Sequence, residues 1–124
     1  MLVPGQSVEL KRAGNGHFHA PVMVNGQPVT MVVDTGATVV ALSIDDARTS
    51  GLAVDPSTFA VVGTGASGPV RGIAVTLDSI TLGGRRVGPV AAVVLDGLDR
   101  SLLGQSFLGK LDEVRIAGDT MVLR

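Results

Sequence analysis

The sequence predicts a small, mostly β domain with one or two short helices. Its 124 residues fit a single domain, and no linker or break in composition divides them. Most of the apolar residues lie in short β-branched runs that are separated by glycine-containing turns, a pattern typical of strands. Two further segments, both short, favour helices instead.

The first predicted pair of strands is a hairpin around Asn25-Gly26. This dipeptide stands between HFHAPVMV and QPVTMVV, and Asn-Gly is the strongest short-range signal for a two-residue hairpin turn. The second arm, from about Gln27 to Val33, leads directly to Asp34. An ionised carboxylate in an apolar setting costs several kcal/mol unless it is compensated. Asp34 is therefore either a turn residue that caps its own backbone or a functional residue that the strand positions.

The segment ALSIDDARTSG predicts a short helix. Ser43 is a candidate N-cap, Asp46 stands three residues later in capping-box position, and Gly51 can end the helix. A second short helix is expected around Gln105–Lys110. The C-terminal segment DEVRIAGDTMVLR predicts a last hairpin that turns near Gly118.

The segment GTGASG, residues 63–68, matches the dinucleotide-binding pattern G-x-G-x-x-G. That interpretation requires a helix to begin at the glycines and an acidic residue about 20 positions further on. Instead, Pro69 and the strand-like VRGIAVTL follow, Asp78 comes too early and Asp96 comes too late. We interpret the segment as the tip of a glycine-rich hairpin, with a nucleotide-dependent oxidoreductase as the alternative.

Composition argues against several classes of partner. A net charge of −1 and 2% aromatic residues offer neither a basic field nor stacking surfaces for nucleic acid. The absence of cysteine excludes disulfides, thiolate nucleophiles and zinc–thiolate sites. His17 and His19 lie two apart, but no third ligand accompanies them, so no metal is expected. No run approaches the length of a membrane span, and MLVPGQSVEL does not have the pattern of a signal peptide.

Two motifs together resemble a known family. Asp34-Thr35-Gly36-Ala37 follows an apolar strand, and Leu102-Leu103-Gly104 follows much later, after the glycine-rich hairpin. This combination resembles the retropepsin-type aspartic proteases. The tail SLLGQSFLGKLDEVRIAGDTMVLR is most similar to the bacterial cellular branch of that family. The resemblance assigns residues 16–124 to the protease domain and leaves 1–15 as an N-terminal segment of uncertain role.

The resemblance implies a small closed barrel, active as a two-fold dimer, with no cofactor. It implies that Asp34, Thr35 and Gly36 are catalytic, with Thr35 bonding across to the partner copy. It implies that a flap at Gly63–Gly68 closes over the substrate. The substrate-binding residues would be Ala37, Gly63, Thr64, Gly65, Ala66, Ser67, Gly68, Leu102 and Leu103. After Gly104 the chain has Gln105-Ser106 where viral members carry an arginine, so the viral ion pairs between subunits are not expected.

The chain holds a single D-T-G, because Asp78-Ser79 is followed by Ile80 and Asp119-Thr120 by Met121. Hydrolysis by a carboxylate pair therefore requires a homodimer that contributes two copies of Asp34. The expected substrate is an extended peptide or protein, with the protein's own precursor as one candidate and with apolar residues around the cut. The alternative is a catalytically silent domain that binds peptides or dimerises. The resemblance also implies the periplasmic side of a bacterial inner membrane, through an anchor outside this chain.

Overall fold

The computed structural model describes residues 7–124, which form a mostly β fold with two short helices, as predicted. The helices are α1 (Ile44–Thr49) and α2 (Gln105–Leu108), and a 3₁₀ turn spans Pro56–Thr58. The strands are β1 (Val8–Lys11), β2 (His19–Val24), β3 (Gln27–Val33), β4 (Val40–Leu42), β5 (Ala60–Gly65), β6 (Gly68–Leu77), β7 (Ile80–Leu82), β8 (Arg85–Val87), β9 (Val90–Leu95), β10 (Leu102–Leu103), β11 (Val114–Ala117) and β12 (Thr120–Leu123).

The strands form two sheets. The larger has the order β5-β6-β9-β4-β10-β3-β2-β7-β8, and the smaller has the order β1-β12-β11. Most neighbours are antiparallel, but β10 is parallel to β3 and β4 is parallel to β9. Because β10 lies between β3 and β4, the two short motifs that resemble the protease family are adjacent in space.

The core is built from alternating strand residues and one face of each helix. In β2, Ala20, Val22 and Val24 are buried whereas Pro21 and Met23 point outward, which is the period-two pattern of a half-buried strand. The largest fully buried side chains include Phe107, Met31, Leu42, Leu77, Ile80 and Leu103. Helix α2 contributes Phe107, so this helix, which follows β10 in the chain, forms part of the core.

The predicted hairpin at Asn25-Gly26 is confirmed. Both turn residues have positive φ, 50° and 80°, which matches the twist of a two-residue type I′ connection. The side chain of Asn25 also joins this turn to another part of the sheet. Its Oδ1 accepts hydrogen bonds from the N–H groups of Asp78 (2.8 Å) and Ser79 (3.3 Å).

Helix α1 is also confirmed, but its capping box closes through a third residue. Ser43 Oγ accepts from the N–H of Asp46 at 3.1 Å, and Gly51 follows the helix with φ of 85°. The reciprocal bond is relayed by Ser101, whose Oγ accepts from the N–H of Ser43 (3.0 Å) and donates to Asp46 Oδ2 (2.5 Å). Since Ser101 is fully buried, this relay ties α1 to the segment that enters β10.

The C-terminal elements are close to the expected ones. The last hairpin turns at Gly118, which has φ of 58°. Helix α2 ends at Leu108 rather than near Lys110. It is shorter because the N–H of Lys110 donates to Phe107 (2.9 Å), a tighter turn that does not continue the helix.

A capped turn precedes the glycine-rich hairpin. The Asp55 carboxylate accepts from the hydroxyl of Ser57 (2.7 Å) and from its N–H (3.0 Å) at the start of the 3₁₀ turn. These bonds, the hydroxyl first, hold the pKa of Asp55 below its ordinary value of 3.8, because they favour the ionised form. The turn leads through the buried side chain of Phe59 into β5.

Candidate active site

Asp34 lies immediately after the last residue of β3, in the interior of the larger sheet. Val32 and Val33 pair in parallel with Leu102 and Leu103, and the N–H of Asp34 continues that ladder to the carbonyl oxygen of Leu103 at 3.1 Å. The side chain of Asp34 is half-buried. The strand therefore holds the carboxylate in one place while leaving it accessible from one side.

The turn after Asp34 folds back onto its carboxylate. The N–H of Gly36 donates to Asp34 Oδ1 at 3.0 Å, and the N–H of Ala37 donates to the carbonyl oxygen of Asp34 at 3.2 Å. A Cβ added to Gly36 would lie 3.4 Å from Asp34 Oδ1, which is ordinary van der Waals contact. The Gly36 amide thus binds the carboxylate directly, but space does not require glycine there.

Gly104 is required for a different reason. A Cβ at this position would collide with the carbonyl oxygen of Val39 and would lie 2.8 Å from the carbonyl oxygen of Ala37. Gly104 is buried where the segment leaving β10 crosses the loop that follows Asp34. Gly104 therefore permits a close crossing of two chain segments.

Gln105 and Ser106 hold the loop between Asp34 and β4. The N–H of Gln105 donates to the carbonyl oxygen of Ala37 (2.8 Å), and its side-chain amide donates to the carbonyl oxygen of Thr35 (3.0 Å). Ser106 Oγ accepts from the N–H of Val40 (2.9 Å) and donates to the carbonyl oxygen of Ala91 (2.7 Å). Sequence reasoning noted these residues only as departures from the viral pattern, although their position directly after Leu-Leu-Gly was the available signal.

Leu102 and Leu103 have different environments. Leu103 is fully buried beneath the turn that carries Asp34, so its side chain lies in the core and not on a substrate-binding surface as the resemblance implied, whereas Leu102 is half-buried. Leu102 lines a cavity of about 490 Å³ beside β3. The other residues that line it are Asn15, His17, Val32, Gly97, Leu98, Asp99 and Arg100.

The walls of this cavity are not formed by apolar residues alone. His17, Asp99 and Arg100 also contribute to its walls, and their side chains are polar or charged. Residues 97–100 were not singled out from the sequence. They lie in an irregular connection between β9 and β10, and no local pattern indicates which way such a loop faces.

The glycine-rich segment forms the predicted hairpin. Strands β5 and β6 pair antiparallel up to Gly65 and Gly68, and the turn between them is Ala66-Ser67. Every residue of β5 is exposed, and Gly68 has φ of 112°. The dinucleotide interpretation is wrong, because a strand and not a helix follows these glycines.

A cavity of about 400 Å³ lies beside this hairpin and is lined by residues 65–71 with Asp96 and Gly97. Gly97 also lines the cavity beside Leu102, so the two spaces adjoin. The structure thus groups Asp34, Thr35, Gly36 and Ala37 with Leu102 and Leu103. It places Gly63, Thr64, Gly65, Ala66, Ser67 and Gly68 together on the separate hairpin.

Two classes of site find no support within residues 7–124. These residues contain no group of three His, Cys, Asp or Glu side chains that could hold a metal ion. His17 and His19 contact each other edge to face, with ring centroids 6.4 Å apart, and Asn15 lies beside His19. No helix in this part of the chain is long and apolar enough to cross a membrane.

Comparison with known proteins agrees with this geometry. The family model described as aspartyl protease matches residues 20–107. An uncharacterized protein in the cobV 5′ region of Sinorhizobium sp. is 38% identical over 123 residues, which covers 96% of this chain and 52% of that protein. This chain spans about half the length of the curated relatives it matches.

Solved structures give the same result. A retropepsin-like aspartic protease from Rickettsia conorii superposes with a TM-score of 0.84 at 30% identity, covering 95% of this chain and 98% of the other. The EIAV protease complexed with the inhibitor HBY-793 has a TM-score of 0.59 at 20% identity, with coverage of 73% and 84%, a likeness of fold alone. The chain therefore belongs to the aspartyl protease family and has the retropepsin-like fold.

Proposed function

We propose that this protein is an aspartic endopeptidase whose catalytic pair consists of Asp34 from each of two copies. The observation that carries the proposal is the support of the Asp34 turn. Its backbone N–H is bound to Leu103, and its Oδ1 accepts the N–H of Gly36, while the carboxylate stays accessible. An aspartate that only capped its own backbone turn would not need the close crossing of chain segments at the buried Gly104. It would also not need the hydrogen bonds that Gln105 donates to the carbonyl oxygens of Thr35 and Ala37.

The chemistry requires two carboxyl groups. Peptide hydrolysis without a metal needs one group that removes a proton from water and another that donates a proton to the scissile carbonyl oxygen. Two carboxyl groups about 3 Å apart share one proton, because both cannot readily ionise at that distance. Water oxygen then bonds to the carbonyl carbon. The C–N bond breaks as the leaving nitrogen takes a proton from the pair, which leaves an acid and an amine.

The second carboxyl group comes from a second copy, because the chain contains one D-T-G. In a two-fold dimer the same turn from each copy faces its counterpart across the axis. Thr35 is exposed beside Asp34, and Gln105 holds its carbonyl oxygen. Its hydroxyl is therefore available for the bond across the axis that the family resemblance implies.

The hairpin of β5 and β6 acts as the flap in this proposal. A peptide would bind in extended form, its backbone pairing with strand edges and its side chains alternating between pockets. Ala37 and Leu102 would form the floor, which the buried Leu103 supports from below, and Gly63–Gly68 would form the cover. The exposure of β5 and the positive φ of Gly68 support a lid that is free to open.

The test is cleavage of a denatured protein between pH 4 and 7 by the wild type, Asp34→Asn and Asp78→Asn. Asp78 is an exposed aspartate that serves as the matched control. We expect the wild type and Asp78→Asn to cleave and Asp34→Asn to lose activity by about 10²- to 10⁴-fold. Equal cleavage by all three proteins would refute the role of Asp34. A folded dimer that binds a statine-type inhibitor without cleaving would support the silent, peptide-binding alternative.

A further inference from the structure

Two cavities share the loop of residues 97–100, which connects β9 to β10. The front cavity is the space of about 490 Å³ beside Leu102, and a rear cavity of about 320 Å³ adjoins helix α1. Gly97, Leu98 and Asp99 line both spaces, so this wall loop separates one cavity from the other. The remaining residues of the rear cavity are Ser43, Ile44, Asp45, Asp46 and Leu95.

The wall loop is fixed at both ends and free between them. Before it, the N–H of Asp96 donates to the carbonyl oxygen of Arg71 at 2.9 Å. After it, the carbonyl oxygen of the fully buried Ser101 accepts the N–H of Val32 at 2.9 Å. Within residues 7–124, residues 97–100 form no hydrogen bond or ion pair with any distant segment. Such a segment moves at low cost, because few interactions hold it in one position.

Leu98 is the one large apolar residue of the wall loop, and it has apolar surroundings on both sides. It is half-buried and lines the front cavity with Leu102, and it lines the rear cavity with Ile44. Gly97, directly before it, has φ of 74°, a backbone region that glycine enters and leaves without a steric penalty. Rotation at Gly97 therefore provides a route by which Leu98 passes from one cavity to the other.

The front cavity lies on the same side of the sheet as the candidate catalytic carboxylate. Val32 lines this cavity and precedes Asp34 by two positions. Side chains two apart along a strand point to the same face. A side chain of a bound peptide that lies next to the scissile bond would therefore enter the front cavity and meet Leu98.

We propose that the wall loop moves into the rear cavity when a large side chain enters the front cavity, so that Leu98 sets the size of the residue accepted beside the cut. The proposal rests on the proposed function, because it concerns the peptide that Asp34 would cleave. The rear cavity of about 320 Å³ has room for the displaced side chain. Truncation of a buried leucine to alanine leaves a cavity of only about 150 Å³. The substrate class is therefore peptides with either a small or a large apolar residue next to the cut.

Charge around the rear cavity keeps the wall loop forward when the front cavity is empty. Asp45, Asp46 and Asp99 all line the rear cavity, and like charges repel each other. Movement of the loop toward α1 brings Asp99 closer to the other two carboxylates. The forward position is therefore the one for small side chains, and a large side chain shifts the loop to the rear position.

The test uses two peptides that differ only in the residue before the cut, valine or phenylalanine, with the wild type, Asp45→Phe and Asp45→Asn. Asp45 is exposed, and within residues 7–124 its side chain forms no hydrogen bond or ion pair. Phenylalanine at this position fills the rear cavity, whereas asparagine removes the same charge without filling it. We expect the ratio of kcat/KM for the phenylalanine peptide to that for the valine peptide to fall about tenfold in Asp45→Phe. An unchanged ratio in Asp45→Phe, or an equal fall in Asp45→Asn, overturns the proposal.

Leu98→Ala tests the same proposal without filling the rear cavity. Truncation widens the front cavity directly, so the ratio should rise about threefold or more. When Asp45→Phe is added to Leu98→Ala, it should have little further effect, because no leucine then needs the rear cavity. An equal fall in both backgrounds would show that the effect does not pass through Leu98. Thermal unfolding of each variant shows whether the fold is intact.

Binding of two statine-type inhibitors, with valine or phenylalanine at the same position, separates this proposal from the catalytic one. A protein that binds both inhibitors without cleaving, and whose Kd ratio shifts about tenfold in Asp45→Phe, would support the moving wall loop and count against the endopeptidase. Cleavage with an unchanged ratio in every variant would support the endopeptidase and reject the moving wall loop. A wild type that neither cleaves the peptides nor binds the inhibitors would reject both.

Discussion

The side-chain amide of Gln105 donates a hydrogen bond to the carbonyl oxygen of Thr35 at 3.0 Å, across seventy positions of sequence. The backbone N–H of the same residue donates to Ala37 at 2.8 Å. Gln105 thus binds the residues on both sides of Gly36. The residue after Gly104 thus carries a neutral amide that binds within its own site.

Replacement of Gln105 by alanine or glutamate tests whether these hydrogen bonds position the Asp34 turn. We expect Gln105→Ala to lower kcat/KM by about two- to tenfold, the value of one net hydrogen bond. Gln105→Glu should be worse, because a carboxylate cannot donate to Thr35 and adds negative charge near Asp34. Gln27→Ala, an exposed glutamine at the start of β3, is the control. Equal kcat/KM for the wild type and all three variants would show that the hydrogen bonds of Gln105 do not position the site.

The crossing at Gly104 predicts a large loss of stability in Gly104→Ala. The added methyl group meets the backbone carbonyl oxygens of Val39 and Ala37, and backbone cannot move aside cheaply. We expect the free energy of unfolding to fall by about 3 kcal/mol, measured by urea denaturation. The control is Gly84→Ala, where nothing lies within 4 Å of the added atom. A loss in Gly104→Ala no larger than in that control would contradict the close crossing.

The flap assignment predicts that Gly68→Ala impairs cleavage more than stability. Its φ of 112° costs a non-glycine residue about 1–3 kcal/mol. Because the hairpin is exposed, that cost should open the tip locally and leave the melting temperature nearly unchanged. Hydrogen exchange at residues 63–70 and kcat/KM are the measurements. Gly84→Ala, in open space, without positive φ and outside the flap, should leave both unchanged.

The Asp55 cap predicts a specific pH dependence of stability. The pKa of Asp55 is lower in the folded state than its ordinary value of 3.8, so its stabilising contribution is complete above that value. The contribution is lost as pH falls through the folded pKa. We expect the melting temperatures of wild type and Asp55→Asn to differ by a constant amount from pH 5 to 7 and to converge below about pH 4. A difference that grew on acidification would contradict this sign.

Local sequence rules identified the elements that depend on a few neighbouring residues. Asn25-Gly26 determined a hairpin because both residues tolerate positive φ. Ser43 determined a helix start because its hydroxyl reaches an N–H three residues away. The position of Asp34 after β3 followed in the same way, from the apolar run before it and the glycine after it.

The tertiary structure decided every relationship between distant segments. Parallel pairing of β3 with β10 brings Leu103 to Asp34, and the buried hydroxyl of Ser101 completes the cap of α1. Residues 97–100 line the cavity beside Leu102, and β1, within the N-terminal segment whose role the sequence left uncertain, pairs with β12. The sequence by itself determined where the candidate residue Asp34 stands relative to its strand and turn, because backbone preference acts over a few positions. Only folding decided what surrounds it, because such contacts depend on how the whole chain packs.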